Sequence, residues 1–327
     1  MLRPVLAVPA TCLGLVGLVA GCTVAERSAD KPRQRAVTTQ SPPSSAPSVT
    51  PIPTPTTPSP AVATRTAEPT PPPNLPSGLP RVPRPGEPVA AADAAGLAQQ
   101  LHAAGRAIND PATPPGALAR HSHVYQVAVR ALVNAPERRA ATYRLLEPRL
   151  RAAVTGDVMA GAQLRAMIRR PKSSLPSWRI TAPASATELL GYYRSAEREF
   201  GVPWEYLAAI HLVETRMGRI RGVSSAGAQG PMQFMPATWR SYGDGDIDSN
   251  RDSIRAAARY LRASGAPANI RKAVYAYNHA NRYVDAVLLY AEQMRERPRA
   301  YYGYHGWQVY YVTTAGDVWL PQGFSNG

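Results

Sequence analysis

The stretch WEYLAAIHLVETRMGRIRGVSSAGAQGPMQ, residues 204–233, decides the fold. It begins with a helical pattern, continues as a glycine-rich loop and ends where a second helix is about to start. On a helical wheel, Glu214 lies about 20° from Leu207, inside the apolar stripe that also contains Ile210. A carboxyl group in that position is either paired and structural or kept partly protonated for chemistry. The stretch therefore predicts a mainly α-helical protein with one acid of special interest.

Composition divides the chain into segments. Half of its prolines, 17 of 34, lie between residues 41 and 90, and so proline-rich a tract cannot build a hydrophobic core. From Ala90 onward, alanine, leucine and arginine dominate, as they do in helices. We predict a lipoprotein signal peptide at residues 1–22 and a disordered Pro/Thr/Ser-rich tether at residues 23–89. A helical N-terminal subdomain at residues 90–176, a second helical domain at residues 177–298 and a C-terminal hairpin extension at residues 299–327 follow.

The first residues have the pattern of an export signal. Arg3 supplies positive charge, and an apolar run over residues 5–20 is too short to span a membrane. Small residues precede Cys22, as in the lipobox of bacterial lipoproteins, whose cysteine is lipidated. Ordinary secretion, or a chance cysteine, is the alternative. Cys12 and Cys22 are the only cysteines, so the exported part is expected to have neither a disulfide nor thiol chemistry.

The chain is strongly basic, with a formal net charge of +15. Eight basic and four acidic residues lie in residues 1–90, which leaves +11 on residues 91–327. In an exported protein this balance favours an anionic envelope polymer or a membrane surface over nucleic acid. A solvated basic face with no partner is an equal alternative. The extended tether could hold the folded part on the order of 200 Å from a membrane anchor.

Start and stop signals predict the individual helices. Ser185 and Glu188 form a capping box that opens a helix, Gly201 follows the end of that helix, and Gly218 closes the next one. The alternation on either side of Ala315-Gly316 in WQVYYVTTAGDVWL predicts a β-hairpin. The predicted helices cover residues 90–106, 118–135, 136–154 with a kink near Pro148, 156–170, 185–200, 203–218, 236–242, 251–264, 269–279 and 281–296.

Three ordered motifs resemble those of the lytic transglycosylases, which cleave the glycan strand of peptidoglycan on a lysozyme-like fold. They are Glu214-Thr215, then SSAGAQGPMQ at residues 224–233, then Ala276-Tyr277-Asn278. GPMQFMPATW, YGDGDID and RDSIRAAARYL further resemble the membrane-bound B type, and the resemblance covers about residues 180–298. Departures from the motifs occur at Thr215, Pro231 and His279-Ala280, which stand in place of serine, leucine and Ala-Gly.

The resemblance implies a role for each motif residue. Glu214 is the single general acid and then base, and the product carries a 1,6-anhydro-muramyl end without consumption of water. The remaining implied residues bind substrate: Gln233 and the Met232 backbone hold sugar amide and hydroxyl groups, Ser224 and Asn278 contact the glycan, and Tyr277 positions Glu214. The implied partners are peptidoglycan glycan strands and, through the lipid anchor, a membrane, and no cofactor is expected.

Alternatives to this interpretation stay open on the sequence alone. Glu214 could be a structural acid that pairs with a nearby arginine, namely Arg216, Arg219 or Arg221. The enzyme could be an inverting muramidase, in which Asp244 or Asp246 activates water. The chain could also be a non-catalytic, peptidoglycan-binding lipoprotein. A cysteine or serine peptidase is excluded, because the thiols lie in the signal segment and no Gly-x-Ser-x-Gly motif occurs.

A run of acidic residues looks like the start of a calcium loop. Asp244, Asp246, Asp248, Asn250 and Asp252 alternate, but Ser249 and Arg255 occupy the positions where such a loop needs glycine and glutamate. Turn and helix-cap roles are therefore favoured, and no metal site is predicted. His121 and His123 lack further ligands at metal-binding spacing and are interpreted as surface or packing residues, and His211 is interpreted as a packing or hydrogen-bonding residue.

Overall fold

The computed structural model describes residues 84–326. The predicted signal peptide, Cys22 and the tether up to residue 83 lie outside the described residues. Within residues 84–326 there are eleven α-helices, one short 3-10 helix and four strands. The prediction of a mainly helical protein with a C-terminal hairpin is confirmed. No helix in this part of the chain has both the length and the apolar character needed to cross a membrane.

The N-terminal helices bring two corrections. They are α1 (Ala94–Asn109), α2 (Pro115–Asn134), a 3-10 helix (Pro136–Arg138), α3 (Arg139–Arg144) and α4 (Pro148–Met167). Pro148 begins α4 instead of kinking a longer helix, because a proline at the first helical position loses no hydrogen bond. The predicted break at residue 155 is also wrong, since α4 continues through it. Gly156 lies in close contact with Gln293, whose amide nitrogen would be 1.9 Å from an added Cβ.

The following helices are α5 (Ala186–Phe200), α6 (Trp204–Thr215), α7 (Pro236–Tyr242), α8 (Asn250–Ala263), α9 (Ile270–Tyr277), α10 (Asn281–Glu296) and α11 (Ala300–His305). The capping box is confirmed, because the Ser185 hydroxyl oxygen accepts a hydrogen bond from the Glu188 amide at 3.2 Å. The helix α6 ends at Thr215, three residues earlier than predicted, and the short helix α11 was not predicted.

Two small antiparallel sheets complete the fold. Strands β3 (Val309–Thr313) and β4 (Gly316–Leu320) form the predicted hairpin, with Thr313 opposite Gly316 at the turn. Strands β1 (Arg179–Ile180) and β2 (Ile220–Arg221) also pair, and at two residues each they are too short for an alternating pattern to reveal. Trp178 packs edge-on against Tyr311, with ring centres 5.4 Å apart, so the hairpin aromatics contribute to packing.

One hydrophobic core runs from Leu97 in α1 to Trp307 after α11. The helix α6 lies within it, and every residue from Leu207 to Thr215 is buried. The sequence predicted an apolar stripe that includes Glu214, but α6 has no solvent face over these residues because α5, α8, α10 and α11 surround it. The single carboxyl group near its end is therefore buried by the whole fold.

Candidate active site

Glu214 lies near the end of α6 and is only 1% exposed. Its Oε1 accepts a hydrogen bond from the Tyr283 hydroxyl at 2.6 Å, and its Oε2 is buried without a partner among the described residues. Burial raises the pKa of Glu214 to about 8, against the opposing effect of the Tyr283 hydrogen bond. The carboxyl group is therefore mostly protonated at pH 7, as a general acid must be.

The arginines that follow Glu214 do not pair with it. Their guanidinium groups donate to backbone carbonyls instead: Arg216 to Leu212 at 2.7 Å, Arg219 to His305 at 2.9 Å and Arg221 to Asp248 at 3.1 Å. The structural ion-pair alternative is therefore wrong. With no counter-charge among the described residues, ionising this buried carboxyl is costly.

A sharp turn joins the end of α6 to the loop that follows. Arg216, Met217 and Gly218 are three consecutive residues with positive φ, at 54°, 58° and 83°. The Thr215 hydroxyl donates to the Pro231 carbonyl at 2.6 Å and accepts from the Gly218 amide at 3.0 Å. Thr215 thereby fixes the turn and ties the acid-bearing helix to the loop. A serine could make the same two bonds, so this departure from the family motif keeps the hydroxyl that the position needs.

The loop over residues 224–233 is held by its own polar groups. The Ser224 hydroxyl oxygen accepts hydrogen bonds from the amides of Ala226 and Ala228, at 3.3 and 2.9 Å. Gln229 and Phe234 exchange two backbone hydrogen bonds. Gly230 has a φ of 73°, and a Cβ there would lie 2.1 Å from the Ile247 carbonyl oxygen. Glycine is thus required at position 230 both by backbone conformation and by space.

Each of the three motifs contributes one buried oxygen atom without a partner among residues 84–326. These atoms are Oε2 of Glu214, Oε1 of Gln233 and Oδ1 of Asn278. Buried polar atoms are normally hydrogen-bonded, so such atoms need an explanation. Hydroxyl and amide groups of a sugar are suitable partners. The Gln233 side-chain amide donates to the Gly230 carbonyl at 2.9 Å, which fixes where its oxygen points.

The tyrosine that contacts Glu214 is not the one that the third motif implied. The Tyr277 hydroxyl donates to the Met232 carbonyl at 2.6 Å and so supports the loop. The donor to Glu214 is Tyr283, which is fully buried on α10. The only signal for it in the sequence is a tyrosine on the apolar face of a helix, where a buried hydroxyl needs a partner. Nothing in the spacing shows which partner that is.

Residues 191–297 match the family model described as the transglycosylase SLT domain. The chain contains a transglycosylase SLT domain. This family comprises lytic transglycosylases of the lysozyme-like superfamily, which act on peptidoglycan, so the family and the lysozyme-like fold predicted from the sequence are both confirmed. Comparisons with curated proteins and with solved structures found no match. The SLT domain includes all three motifs and Tyr283, whereas α1 to α4, α11 and the hairpin lie outside it.

The acidic loop of the SLT domain serves as a turn and a helix cap. The Asp244 carboxylate pairs with Arg255 at 3.0 Å and is 70% exposed. Asp246 accepts a hydrogen bond from the Asp248 amide at 2.9 Å, and Ser249 caps α8. No group of His, Cys, Asp or Glu in the described part of the chain is arranged to hold a metal ion.

His211 is a buried hydrogen-bonding residue of the SLT domain. Its Nδ1 is hydrogen-bonded to the Tyr193 hydroxyl at 2.7 Å. Burial lowers the pKa of His211 to about 3, and the charge of Arg221 acts in the same direction. It is therefore neutral at pH 7 and cannot serve as a positive counter-charge for Glu214, one turn further along α6.

Tyr283→Phe is expected to slow turnover by about tenfold and to raise the pKa of Glu214. The Tyr283 hydrogen bond lowers that pKa, so its loss leaves only the effect of burial. Since a general acid works in its protonated form, the alkaline limb of the pH–rate profile should move to higher pH. Tyr277→Phe is the matched control and should leave this limb in place, because its hydroxyl bonds to Met232. An unmoved limb in Tyr283→Phe would show that Tyr283 does not tune Glu214.

Proposed function

We propose that this protein is a peptidoglycan lytic transglycosylase that cleaves the β-1,4 bond between N-acetylmuramic acid and N-acetylglucosamine without water. The observation on which the proposal rests is the burial of Glu214 and its raised pKa. It is a buried carboxyl group with a pKa of about 8, whose only hydrogen-bond partner among residues 84–326 is the neutral hydroxyl of Tyr283. The SLT domain in which it lies gives the substrate class.

In the first step, Glu214 acts as the general acid. Its proton passes to the glycosidic oxygen, and the bond from that oxygen to C1 of the muramyl sugar breaks. The N-acetylglucosamine product leaves with a free hydroxyl group. Positive charge develops at C1, while the carboxylate formed on Glu214 is stabilised by the Tyr283 hydroxyl at 2.6 Å.

In the second step, the same carboxylate acts as a base. It takes the proton of the C6 hydroxyl of the muramyl sugar, and the C6 oxygen bonds to C1 to close the 1,6-anhydro ring. Glu214 is then protonated again and ready for the next cycle. The proton given in the first step is recovered in the second, so no water is consumed and no second carboxylate is needed.

The substrate-binding roles rest on the polar groups of the second and third motifs. The Oε1 of Gln233 and the Oδ1 of Asn278 are free to accept from amide or hydroxyl groups of the sugars. Ser224 holds its loop through its oxygen and keeps its hydroxyl hydrogen for the glycan. The Met232 carbonyl is supported by Tyr277 and completes the proposed binding set.

The hydrolytic alternative receives less support. An inverting muramidase needs a second carboxylate about 6.5–9.5 Å from the acid. Asp244 is paired with Arg255, and Asp246 holds its own turn. Burial alone raises the pKa of Glu214, with no contribution from another carboxylate. A purely binding protein is also less favoured, because an uncompensated buried carboxyl costs stability and brings binding no benefit.

The proposed location is the cell envelope. Lipidation at Cys22 would anchor the chain to a membrane, and residues 23–89 would let the SLT domain reach peptidoglycan some distance away. The positive charge of residues 91–327 suits an anionic envelope polymer. Recovery in the membrane fraction, and its loss in Cys22→Ala, is the corresponding test.

Mass spectrometry of the products is the decisive test of the reaction. Purified peptidoglycan digested with the enzyme is expected to give fragments with 1,6-anhydro-muramyl ends, each lighter by the mass of one water than a reducing end. The same digestion in H₂¹⁸O should leave the fragments unlabelled, because water takes no part. Reducing ends labelled with ¹⁸O would overturn the transglycosylase proposal in favour of a muramidase. Sedimentation with peptidoglycan but no released product would favour the binding protein.

A further inference from the structure

A small cleft of about 80 Å³ lies on the side of α6 that carries Val213 and Arg216. Its other walls come from α2, α4, α10 and the C-terminal hairpin, so most of it belongs to the part of the chain outside the SLT domain. None of the proposed catalytic or substrate-binding residues lines it. We call this cleft the arginine pocket, after the charged side chains that line it: Arg130, Arg165, Arg216 and Asp317.

The charges in the arginine pocket do not balance. Asp317 forms an ion pair with Arg130 at 2.6 Å and accepts hydrogen bonds from Arg165 and from Asn134, the latter at 2.9 Å. Burial would raise the pKa of Asp317, but the two arginines outweigh this effect and hold it at about 2. This carboxylate is therefore always ionised near neutral pH. Three guanidinium groups against one carboxylate still leave the pocket with a formal charge of +2.

Arg216 is the arginine without a counter-charge. Its only hydrogen-bond partner in the described part of the chain is the Leu212 carbonyl, and the residue is half-buried, so its other donors are available to a ligand or to solvent. Burial lowers the pKa of Arg216, and the nearby charge of Arg130 acts in the same direction. A guanidinium group does not lose its proton under these conditions. An anion would supply the counter-charge that Arg216 lacks in the described part of the chain.

Arg130 supplies a second unused donor in the same cleft. Its guanidinium group lies 4.5 Å above the centre of the Tyr310 ring, which fixes its plane. One of its amino groups binds Asp317, whereas its Nε is buried and has no partner among residues 84–326. The arginine pocket thus contains one buried N–H without a partner and one guanidinium group without a counter-charge among the described residues.

We propose that the arginine pocket binds an oxyanion, a carboxylate or a phosphate, through Arg216 with Arg130 beside it. The planar fork of a guanidinium group matches the two oxygens of either anion, and such bonds are among the strongest in proteins. The ligand would neutralise the excess charge of the pocket. It would also stabilise the left-handed turn at Arg216, two residues after Glu214. This site is separate from the glycan-binding groups, so it stands or falls independently of the proposed reaction.

Thermal unfolding and calorimetry of the whole chain test the proposal at constant ionic strength. The probes are inorganic phosphate, an N-acetylated dipeptide with a free C-terminal carboxylate, and the same dipeptide as its C-terminal amide. A saturable rise in Tm with phosphate or the acid, and none with the amide, is expected. Stronger binding of the acid identifies a peptide carboxylate as the ligand, and stronger binding of phosphate identifies the free ion. If none of the probes binds, the proposal fails.

Variants locate the binding. Arg216→Met removes the proposed ligand group and is expected to weaken binding by about tenfold or more, since a hydrogen bond to a charged group contributes about 1.5–3 kcal/mol. Arg151→Met removes an exposed charge of α4 and should bind as the native chain does. If Arg216→Met does not fold, Arg165→Met at the edge of the pocket takes its place, with the same expected direction. Native affinity in the folded variant would overturn the assignment.

Discussion

Glu214→Gln is expected to reduce the release of soluble fragments from purified peptidoglycan by on the order of 10³-fold. Glutamine keeps the shape of the side chain and can still accept the Tyr283 hydrogen bond, but it has no proton to give to the glycosidic oxygen. Glu205→Gln on the same helix is the matched control and should retain activity. Undiminished release from Glu214→Gln would remove Glu214 from the mechanism and the proposed reaction with it.

The same variant has a second expected result, on stability. The pKa of Glu214 is raised from 4.5 to about 8 in the folded chain, so ionisation opposes folding. The resulting decrease in the free energy of unfolding is absent below pH 4.5 and grows by about 1.4 kcal/mol per pH unit up to about pH 8. Glu214→Gln should therefore match the native chain in denaturant unfolding near pH 4 and exceed it by a few kcal/mol at pH 9. A stability difference that does not change with pH would contradict a buried, ionisable carboxyl.

Gly230→Ala is expected to destabilise the fold by about 3 kcal/mol and to abolish most activity. The methyl group would lie 2.1 Å from the Ile247 carbonyl oxygen, and the backbone φ of 73° is unfavourable for alanine. The left-handed conformation costs about 1–2 kcal/mol and the overpacking another 1–3 kcal/mol. Because Gln233 binds back to the Gly230 carbonyl, a shift here would also move the proposed sugar contact. Denaturant unfolding and fragment release measure the two effects.

Gly227→Ala separates the two causes. Gly227 belongs to the same loop and has a φ of 90°, but a Cβ there would meet nothing within 4 Å. Gly227→Ala should therefore lower the free energy of unfolding only by the cost of the left-handed backbone conformation, without the cost of overpacking. Equal losses in the two variants would show that the contact with Ile247 contributes nothing, and that the loop is free to move away from it.

The sequence was most informative where the cause is local. Pro136 and Pro236 begin helices, Ser185 caps one, and the turn of the hairpin lies at Ala315-Gly316 as predicted, with Gly316 opposite Thr313, because each acts through its own backbone or its immediate neighbours. The short helix α11 and the paired strands β1 and β2 escaped prediction, since segments of two to six residues carry too little periodic signal. Pro148 was misread for the opposite reason, because a strong helical pattern continues on both sides of it.

Only part of the chemistry of the candidate site could be predicted from the sequence. The sequence placed Glu214 among apolar residues, and its burial and raised pKa follow from that placement. The hydrogen bond between Tyr283 and Glu214 joins residues that are 69 positions apart, and it depends on how α10 packs against α6. The arginine pocket could not be predicted from the sequence. Asp317 and Arg130 come together only because the hairpin folds back on α2, and no local pattern records that contact.

The burial of α6 has a kinetic consequence. Backbone amides in the centre of a core exchange with solvent deuterium only when the whole fold opens, unlike those of the surface loops on which many enzymes carry their reactive groups. Leu207 to Thr215 are buried on all sides, so this segment should be among the slowest-exchanging in the molecule. The segment that carries Glu214, the proposed acid, then cannot unfold locally. Heat inactivation should follow the rate of global unfolding, and a shelf-life measured by activity would report that rate directly.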